Sequence, residues 1–131
     1  MDKKLKTTHD LASAMTFLSS IDKEGPERVK KMREFSPEIA DRIVTQLYGD
    51  IYQRPGLDLK TRALTSIVIV ASTGMIAQLT YQLRFALLAG VDASEVREAL
   101  LHVGLFAGMA RAINAEAILS QVEKQIKEKT E

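Results

Sequence analysis

The chain has 131 residues, 46% of them hydrophobic and 27% charged, as is typical of one globular domain with a core of its own. Its 18 basic and 17 acidic residues are interleaved, and the net charge of +1 gives no support to nucleic acid or an anionic membrane as a partner. The absence of cysteine excludes disulfides, thiolate metal sites and thiol catalysis.

The N-terminal stretch MDKKLKTTHD leads into no sustained apolar segment, so it does not resemble a signal peptide. The most apolar stretch, Ala63 to Leu79, is interrupted by hydroxyl residues and a glycine, whereas a transmembrane helix needs about twenty apolar residues. We therefore expect two buried helices here, no membrane segment and a cytoplasmic protein.

The first 35 residues carry weak helical signals. The pattern predicts one helix from about His9 to Ser20 and a short one over Glu27 to Arg33, separated by the stretch IDKEGP. We interpret residues 1–35 as an N-terminal extension and residues 36–127 as the core of a single domain that spans 1–131.

Stronger signals begin at Ser36, an N-cap residue followed by a proline and a glutamate. They predict a helix from Pro37 towards Tyr52 that carries one apolar stripe, formed by Ile39, Ile43, Leu47 and Ile51.

A tight turn follows at Arg54 to Leu57, where Pro55 presets φ and Gly56 accepts a positive φ. Asp58 is placed to cap the next helix.

Two apolar helices come next, Leu59 to Thr73 and Met75 to Ala89, with Gly74 and Gly90 suited to the left-handed position that closes a helix. The second half of the first helix is apolar all round, which predicts burial on every side. One small domain rarely buries two such helices. A homo-oligomer is the simplest way to cover the excess apolar surface.

Asp92 and Glu95 resemble a capping box that opens another helix, and Gly108 marks a kink or a close approach. A last helix starts at about Ala110 and is expected to fray in the tail EKQIKEKTE. No segment alternates with period two over a useful length, so the fold is predicted to be all-α, with about six or seven helices. The core stripes of these two helices contain Val96, Leu100, Val103, Ala107, Ala115, Ile118, Leu119, Val122 and Ile126.

One helix face has an unusual composition. Gln78, Tyr81, Gln82 and Phe85 recur at i, i+3, i+4 and i+7 and share one side of the second apolar helix. Amides on a fully packed apolar face would lack partners, at a cost of roughly 1–3 kcal/mol each. We therefore expect this face to line a pocket at or near a subunit interface.

Two segments carry a family resemblance. YGDIYQRPGLDLKTRALTSIVIVAS and LRFALLAGVDASEVREALLHVGLFAGMARA, taken in order and with their spacing, resemble the carboxymuconolactone decarboxylase family, which is similar in turn to the alkylhydroperoxidase D-like proteins. The match covers roughly Glu38 to Val122. It implies an alkylhydroperoxidase D-like helical subunit that assembles into homotrimers or homohexamers.

The chain departs from the family pattern at the reactive positions. The resemblance places the CxxC pair of the peroxidase-like branch at Met75 and Gln78, its histidine at Gln82 and its acid at Ala63. With no thiolate, thiol peroxidase activity is excluded. The decarboxylase branch usually keeps the histidine, and Gln82 cannot exchange a proton near neutral pH.

Decarboxylation still requires a cation to hold the substrate carboxylates and an acid to reprotonate carbon. Arg62 matches a family arginine whose planar guanidinium suits bidentate carboxylate binding, or it forms a structural ion pair with Asp58 or another acid. The predicted substrate-binding residues are Arg62, Gln78, Tyr81 and Gln82.

His102 follows Glu98 by one helical turn, so the two are the candidate catalytic acid–base pair, although the same spacing is common on solvated faces. His9 lies in a polar beginning and is incidental. The two histidines form no ligand motif, so we expect no metal and no cofactor.

Three further residues stay open. Arg84 lies on a different face from Gln82 and is expected to face solvent. Phe106, like Tyr81, belongs to the core or lines an apolar cavity, and Arg111 is either a cation near the pocket or part of an interface ion pair. Two functions follow: a carboxymuconolactone decarboxylase-like lyase acting on a small carboxylated molecule, or a non-catalytic oligomeric binding or scaffold protein.

Overall fold

The protein is described by a computed structural model over residues 10–130. Within that range the chain forms seven α-helices, one short 3-10 helix and no strand, which confirms the all-α prediction. Two compact units follow one another in sequence, the first ending at Leu59 and the second beginning at Lys60. The predicted helix start at His9 lies outside the described residues.

The first unit contains α1 (Leu11–Ile21), α2 (Gly25–Phe35), α3 (Pro37–Leu47) and the 3-10 helix (Ile51–Gln53). The three α-helices pack against one another because each presents a narrow stripe of small or branched apolar residues. That core consists of Ala14, Leu18, Val29, Ala40, Val44, Tyr48 and Tyr52.

The corner between α1 and α2 is built around Asp22, which is only 1% exposed. One carboxylate oxygen accepts a hydrogen bond from the backbone N–H of Glu24 at 3.0 Å, and the other is paired with the guanidinium of Arg28. With both oxygens occupied, the burial of this charge is compensated.

The third helix differs from its prediction. It ends at Leu47 and not near Tyr52, because the N–H of Gly49 bonds back to the carbonyl of Val44 and the chain turns away. Pro37 occupies the first turn as expected, but the Ser36 side chain makes no capping hydrogen bond.

The predicted stripe of α3 is also displaced. Ala40 and Val44 are buried, whereas Ile39 and Ile43 are exposed. A shift by one position turns the helix by about 100°, so the smaller side chains face the core of the unit.

The second unit contains α4 (Leu59–Thr73), α5 (Ile76–Leu88), α6 (Ala93–Ala107) and α7 (Met109–Thr130). The unit begins at Lys60, so the first residue of α4 is assigned to the first unit. Helix α7 packs against both α5 and α6. The buried residues are Ala63, Ile67, Ala71, Leu79, Leu83, Phe85, Ala86, Val91, Val96, Leu100, Val103, Ala115, Leu119 and Val122.

Local rules predicted most helix ends of this unit correctly. Gly74 and Gly90 have φ of 76° and 103°, and the Asp92 N–H donates to Oε1 of Glu95 at 2.9 Å within the predicted capping box. Gly108, at φ 113° with nothing near its Cβ position, is a bend and not a close approach. By contrast, Gly56 is not among the described glycines with positive φ, so that part of the turn prediction is wrong.

The last helix is longer than expected, because it continues to Thr130 and does not fray after Val122. Lys127 and Lys129 in its final turn complement the negative end of the helix dipole. Arg97 on α6 also holds it, with ion pairs to Glu116 at 3.6 Å and Glu123 at 2.7 Å.

Helix α4 is not covered on every side. Ile67 and Ala71 are buried, but Ile69 is 55% exposed. Across residues 10–130, no helix is both long enough and apolar enough to cross a membrane.

Candidate functional site

The polar face of α5 becomes more buried from its N-terminal to its C-terminal end. Gln78 is exposed, Tyr81 is 49% exposed, Gln82 is half-buried and Phe85 is only 1% exposed. Phe85 is therefore a core residue, and only the first three positions are accessible to a ligand. The packed C-terminal half of α5 holds this accessible half in place.

The candidate acid–base pair lies on α6. Glu98 and His102 are both exposed, and neither side chain forms a hydrogen bond or an ion pair within the described part of the chain. Their neighbour Arg97 is the residue of this helix that pairs with carboxylates, and the hydrogen bond that it donates to Glu123 raises the pKa of the Arg97 guanidinium.

Two arginines have different predicted roles, one to bind a carboxylate and the other to face solvent. Arg62 on α4 and Arg84 on α5 are both half-buried, so Arg84 is less exposed than expected. The six predicted site residues thus come from α4, α5 and α6 of the second unit.

A small cavity of about 20 Å³ lies where the end of α4, the start of α5 and the first two turns of α7 meet. Such a volume holds about one water-sized group. Met75, where the resemblance places a reactive position, lies in its wall. The cavity is lined by Val70, Ala71, Gly74, Met75, Ile76, Leu79, Arg111 and Asn114.

Arg111 connects two of these elements. Its Nη1 donates a hydrogen bond to the carbonyl oxygen of Ser72, one of the last carbonyls of α4, which have no partner within their own helix. No carboxylate of the described residues pairs with it, and it is the only charged residue among those that line the cavity. The sequence suggested Arg111, but it missed Asn114, whose only signal is its position one turn further along α7.

A tyrosine of the first unit is strongly perturbed. Burial raises the pKa of the Tyr48 hydroxyl well above its usual value, and the charge of neighbouring Tyr52 adds to the effect. The two rings meet edge to face, with their centroids 5.7 Å apart. This hydroxyl is fixed in its protonated form near neutral pH and cannot serve as a base.

No group of three or more histidine, aspartate or glutamate side chains that could hold a metal ion occurs among residues 10–130.

The sequence has known relatives. A family model described as "CMD: Carboxymuconolactone decarboxylase family" matches residues 37–121, more than half of the chain. The chain is 28% identical over 98 residues to a 4-carboxymuconolactone decarboxylase of Acinetobacter baylyi, across 75% of this chain and 73% of that protein.

Two further relatives show similar levels of identity. Nitrosuccinic acid decarboxylase npaB of Metarhizium robertsii is 31% identical over 89 residues, which cover 68% of this chain and 62% of that protein, less than two thirds of its length. An uncharacterized 15.0 kDa protein of Paracoccus denitrificans is 30% identical over 96 residues, or 72% of each chain.

Proposed function

The chain belongs to the carboxymuconolactone decarboxylase family, and on that premise we propose that it is a lyase that removes CO2 from a small carboxylated lactone or a related organic acid. The observation that carries the proposal is the naming of two relatives. One is called a decarboxylase of a carboxylated lactone and the other a decarboxylase of nitrosuccinic acid. Both names describe small acids that lose CO2.

The reaction sets clear demands. Breaking the bond between carbon and the carboxylate leaves an electron pair on carbon, which a polarised carbonyl must receive before a proton is added to the carbon. In this proposal Arg62 holds a substrate carboxylate, because its guanidinium offers paired donors in one plane. The amides of Gln78 and Gln82 donate hydrogen bonds to the carbonyl, and Tyr81 forms one wall.

The proton then comes from His102, with Glu98 one turn away to orient the imidazole. Gln82 cannot take this role because a carboxamide does not exchange a proton near neutral pH. The proposed proton donor therefore lies on α6, whereas the histidine of the family pattern corresponds to Gln82 on α5.

Assembly is part of the same proposal. An apolar strip on α6 and the start of α7 is exposed, and His102 lies within it. A homotrimer or homohexamer that covers this strip would remove His102 from water and bring a second subunit to the site. A cytoplasmic location also belongs to the proposal. The strip consists of Leu101, Leu105, Phe106, Met109 and Ile113.

A second candidate is a non-catalytic oligomeric protein that binds or presents a small molecule. The observation that favours it is the state of the acid–base positions: glutamine at position 82, and an exposed His102 that is not paired with Glu98. The two candidates differ in whether a bound acid loses CO2.

The test is CO2 release from 4-carboxymuconolactone and from nitrosuccinic acid by wild type, Arg62→Met and the control Arg97→Met. We expect turnover of at least one acid and a loss of about tenfold or more in kcat/KM for Arg62→Met, the size of a lost charged hydrogen bond. Arg97 pairs with Glu116 and Glu123, so its variant should keep the wild-type kcat/KM. An Arg62→Met variant as active as wild type would remove Arg62 from the site.

The glutamine face is tested in the same assay. Gln82→Ala should change ligand affinity more than thermal stability, because Gln82 lies at the accessible part of α5. Gln82→His should add a titratable step near the pKa of free imidazole, about 6.5. If neither variant changes binding or rate, the α5 face is not part of the site.

A further inference from the structure

We propose that Arg111 is a carboxylate-binding residue, and that the cavity it lines with Asn114 anchors one carboxylate of a small organic acid. The identity of that acid as a decarboxylation substrate rests on the proposed function, whereas the binding itself does not. Neither residue is among the six site residues predicted from the sequence.

The first argument is the orientation of the guanidinium. Arg111 is exposed, yet its Nη1 is tied to the Ser72 carbonyl at the end of α4. This bond uses one of the five N–H donors of the side chain and fixes its plane. The remaining donors have no acceptor among the described residues, so the fork is held ready for an external anion.

The second argument is the charge at the cavity. Arg111 is the only ionised side chain in its lining, and no aspartate or glutamate shares the wall. Asn114, one helical turn along α7, adds an amide that can donate to a second carboxylate oxygen. A single cation and a neutral amide on one wall select a small anion over a cation or a neutral molecule.

The third argument is size and polarity. The rest of the lining is aliphatic, glycine or methionine, and the volume of about 20 Å³ admits only the end of a ligand. Gly74, Met75 and Ile76 in that wall are exposed, so the remainder of the acid can extend outwards. The cavity therefore admits one oxygen of a carboxylate, while the rest of that group and the first carbons of the chain lie along the exposed part of the wall.

The experiment compares succinate with succinamide, its uncharged diamide of nearly the same shape, as ligands in titration calorimetry. The proteins are wild type, Arg111→Met, Arg111→Lys, Asn114→Leu and the control Arg97→Met, whose arginine is engaged by α7 carboxylates. Thermal unfolding without ligand is recorded for each, since loss of the bond to Ser72 affects the end of α4.

We expect Arg111→Met to weaken succinate binding by about tenfold or more and to leave succinamide binding within about twofold. Arg111→Lys keeps the charge but not the fork, so its loss should be smaller, and Asn114→Leu should also weaken succinate. Arg97→Met should bind both ligands like wild type.

Three results would overturn the assignment: wild type that binds no succinate, an Arg111→Met variant with wild-type succinate affinity, or equal weakening of succinate and succinamide. If Arg111→Met does not fold, Arg111→Lys and Asn114→Leu decide in the same way. Arg111-dependent succinate binding by a protein that releases no CO2 would defeat the lyase proposal and leave this assignment standing. An Arg111→Met variant that keeps both the wild-type CO2 release and the wild-type succinate affinity would defeat this assignment and leave the lyase proposal standing.

Discussion

At the scale of single residues, Tyr48 links burial to a measurable pH dependence. Its pKa is raised in the folded protein, so the unfolded chain loses this proton first as the pH rises above about 10. The contribution of the protonated Tyr48 to the free energy of unfolding is therefore complete below that pH. Above it, this contribution falls by about 1.4 kcal/mol per pH unit. We expect Tyr48→Phe to lose less stability than wild type between about pH 10 and 12, measured by urea unfolding. Equal slopes for the two proteins would contradict this.

Ile67 and Ile69 lie two positions apart on α4. The side chain of Ile67 is completely buried, at 0% exposed, whereas that of Ile69 is 55% exposed. An aspartate at position 67 would place an unpaired charge in the core, and we expect Ile67→Asp to lose at least about 3 kcal/mol of unfolding free energy or fail to fold. Ile69→Asp is the control and should keep its helical circular dichroism. A cooperative, wild-type-like transition of Ile67→Asp would show that the burial of α4 is wrongly described.

Residue exposure was the least predictable property. Ile39 and Ile43 fit the apolar stripe as well as Ala40 and Val44 do, yet only the alanine and valine are buried. Hydrophobic periodicity identifies an apolar helix face. It does not tell whether that face packs inside the unit or stays exposed on its surface.

At the scale of helices, the α1–α2 corner depends on a close approach. A Cβ at Gly25 would lie 2.6 Å from Cγ of Leu18, itself a core residue. We expect Gly25→Ala to cost about 1–3 kcal/mol by overpacking. In a double-mutant cycle with Leu18→Ala the obstacle is absent, so Gly25→Ala should cost less there, with a coupling of about 1 kcal/mol or more in denaturant unfolding. Additive effects would mean that the corner yields without strain.

Helix ends were predictable where one or two neighbouring residues determine them. Gly74, Gly90 and the box at Asp92 needed only local rules. The ion pairs of Arg97 on α6 with Glu116 and Glu123 on α7 join positions that are distant in sequence, so local rules do not predict them.

The candidate site also has one part that neighbouring residues determine and another that depends on distant residues. The accessible half of α5 follows from one helical repeat, whereas the cavity requires three segments to meet: the end of α4, the start of α5 and the first two turns of α7. The spacing of residues along one helix does not predict which other helices pack beside it.

At the scale of the whole molecule, the exposed strip around Gly108 predicts association. Phe106 is 82% exposed in the single chain, and burying such a ring against a second copy is strongly favourable. We expect wild type to have three or six times the chain mass of 14.5 kDa in light scattering, and Phe106→Asp to form smaller, folded species. Ser120→Asp, on an exposed part of α7, should keep the wild-type mass. A monomeric wild type would contradict assembly through this strip.

The rate of CO2 release from the carboxylated lactone tests the lyase proposal most directly. We expect wild type to exceed the uncatalysed rate between about pH 5 and 8, and His102→Asn to be about a hundredfold slower because the proton donor is lost. If wild type binds the lactone but releases no CO2 above the uncatalysed rate at any pH in that range, the protein is not a decarboxylase of this acid, and the non-catalytic binding protein replaces the lyase.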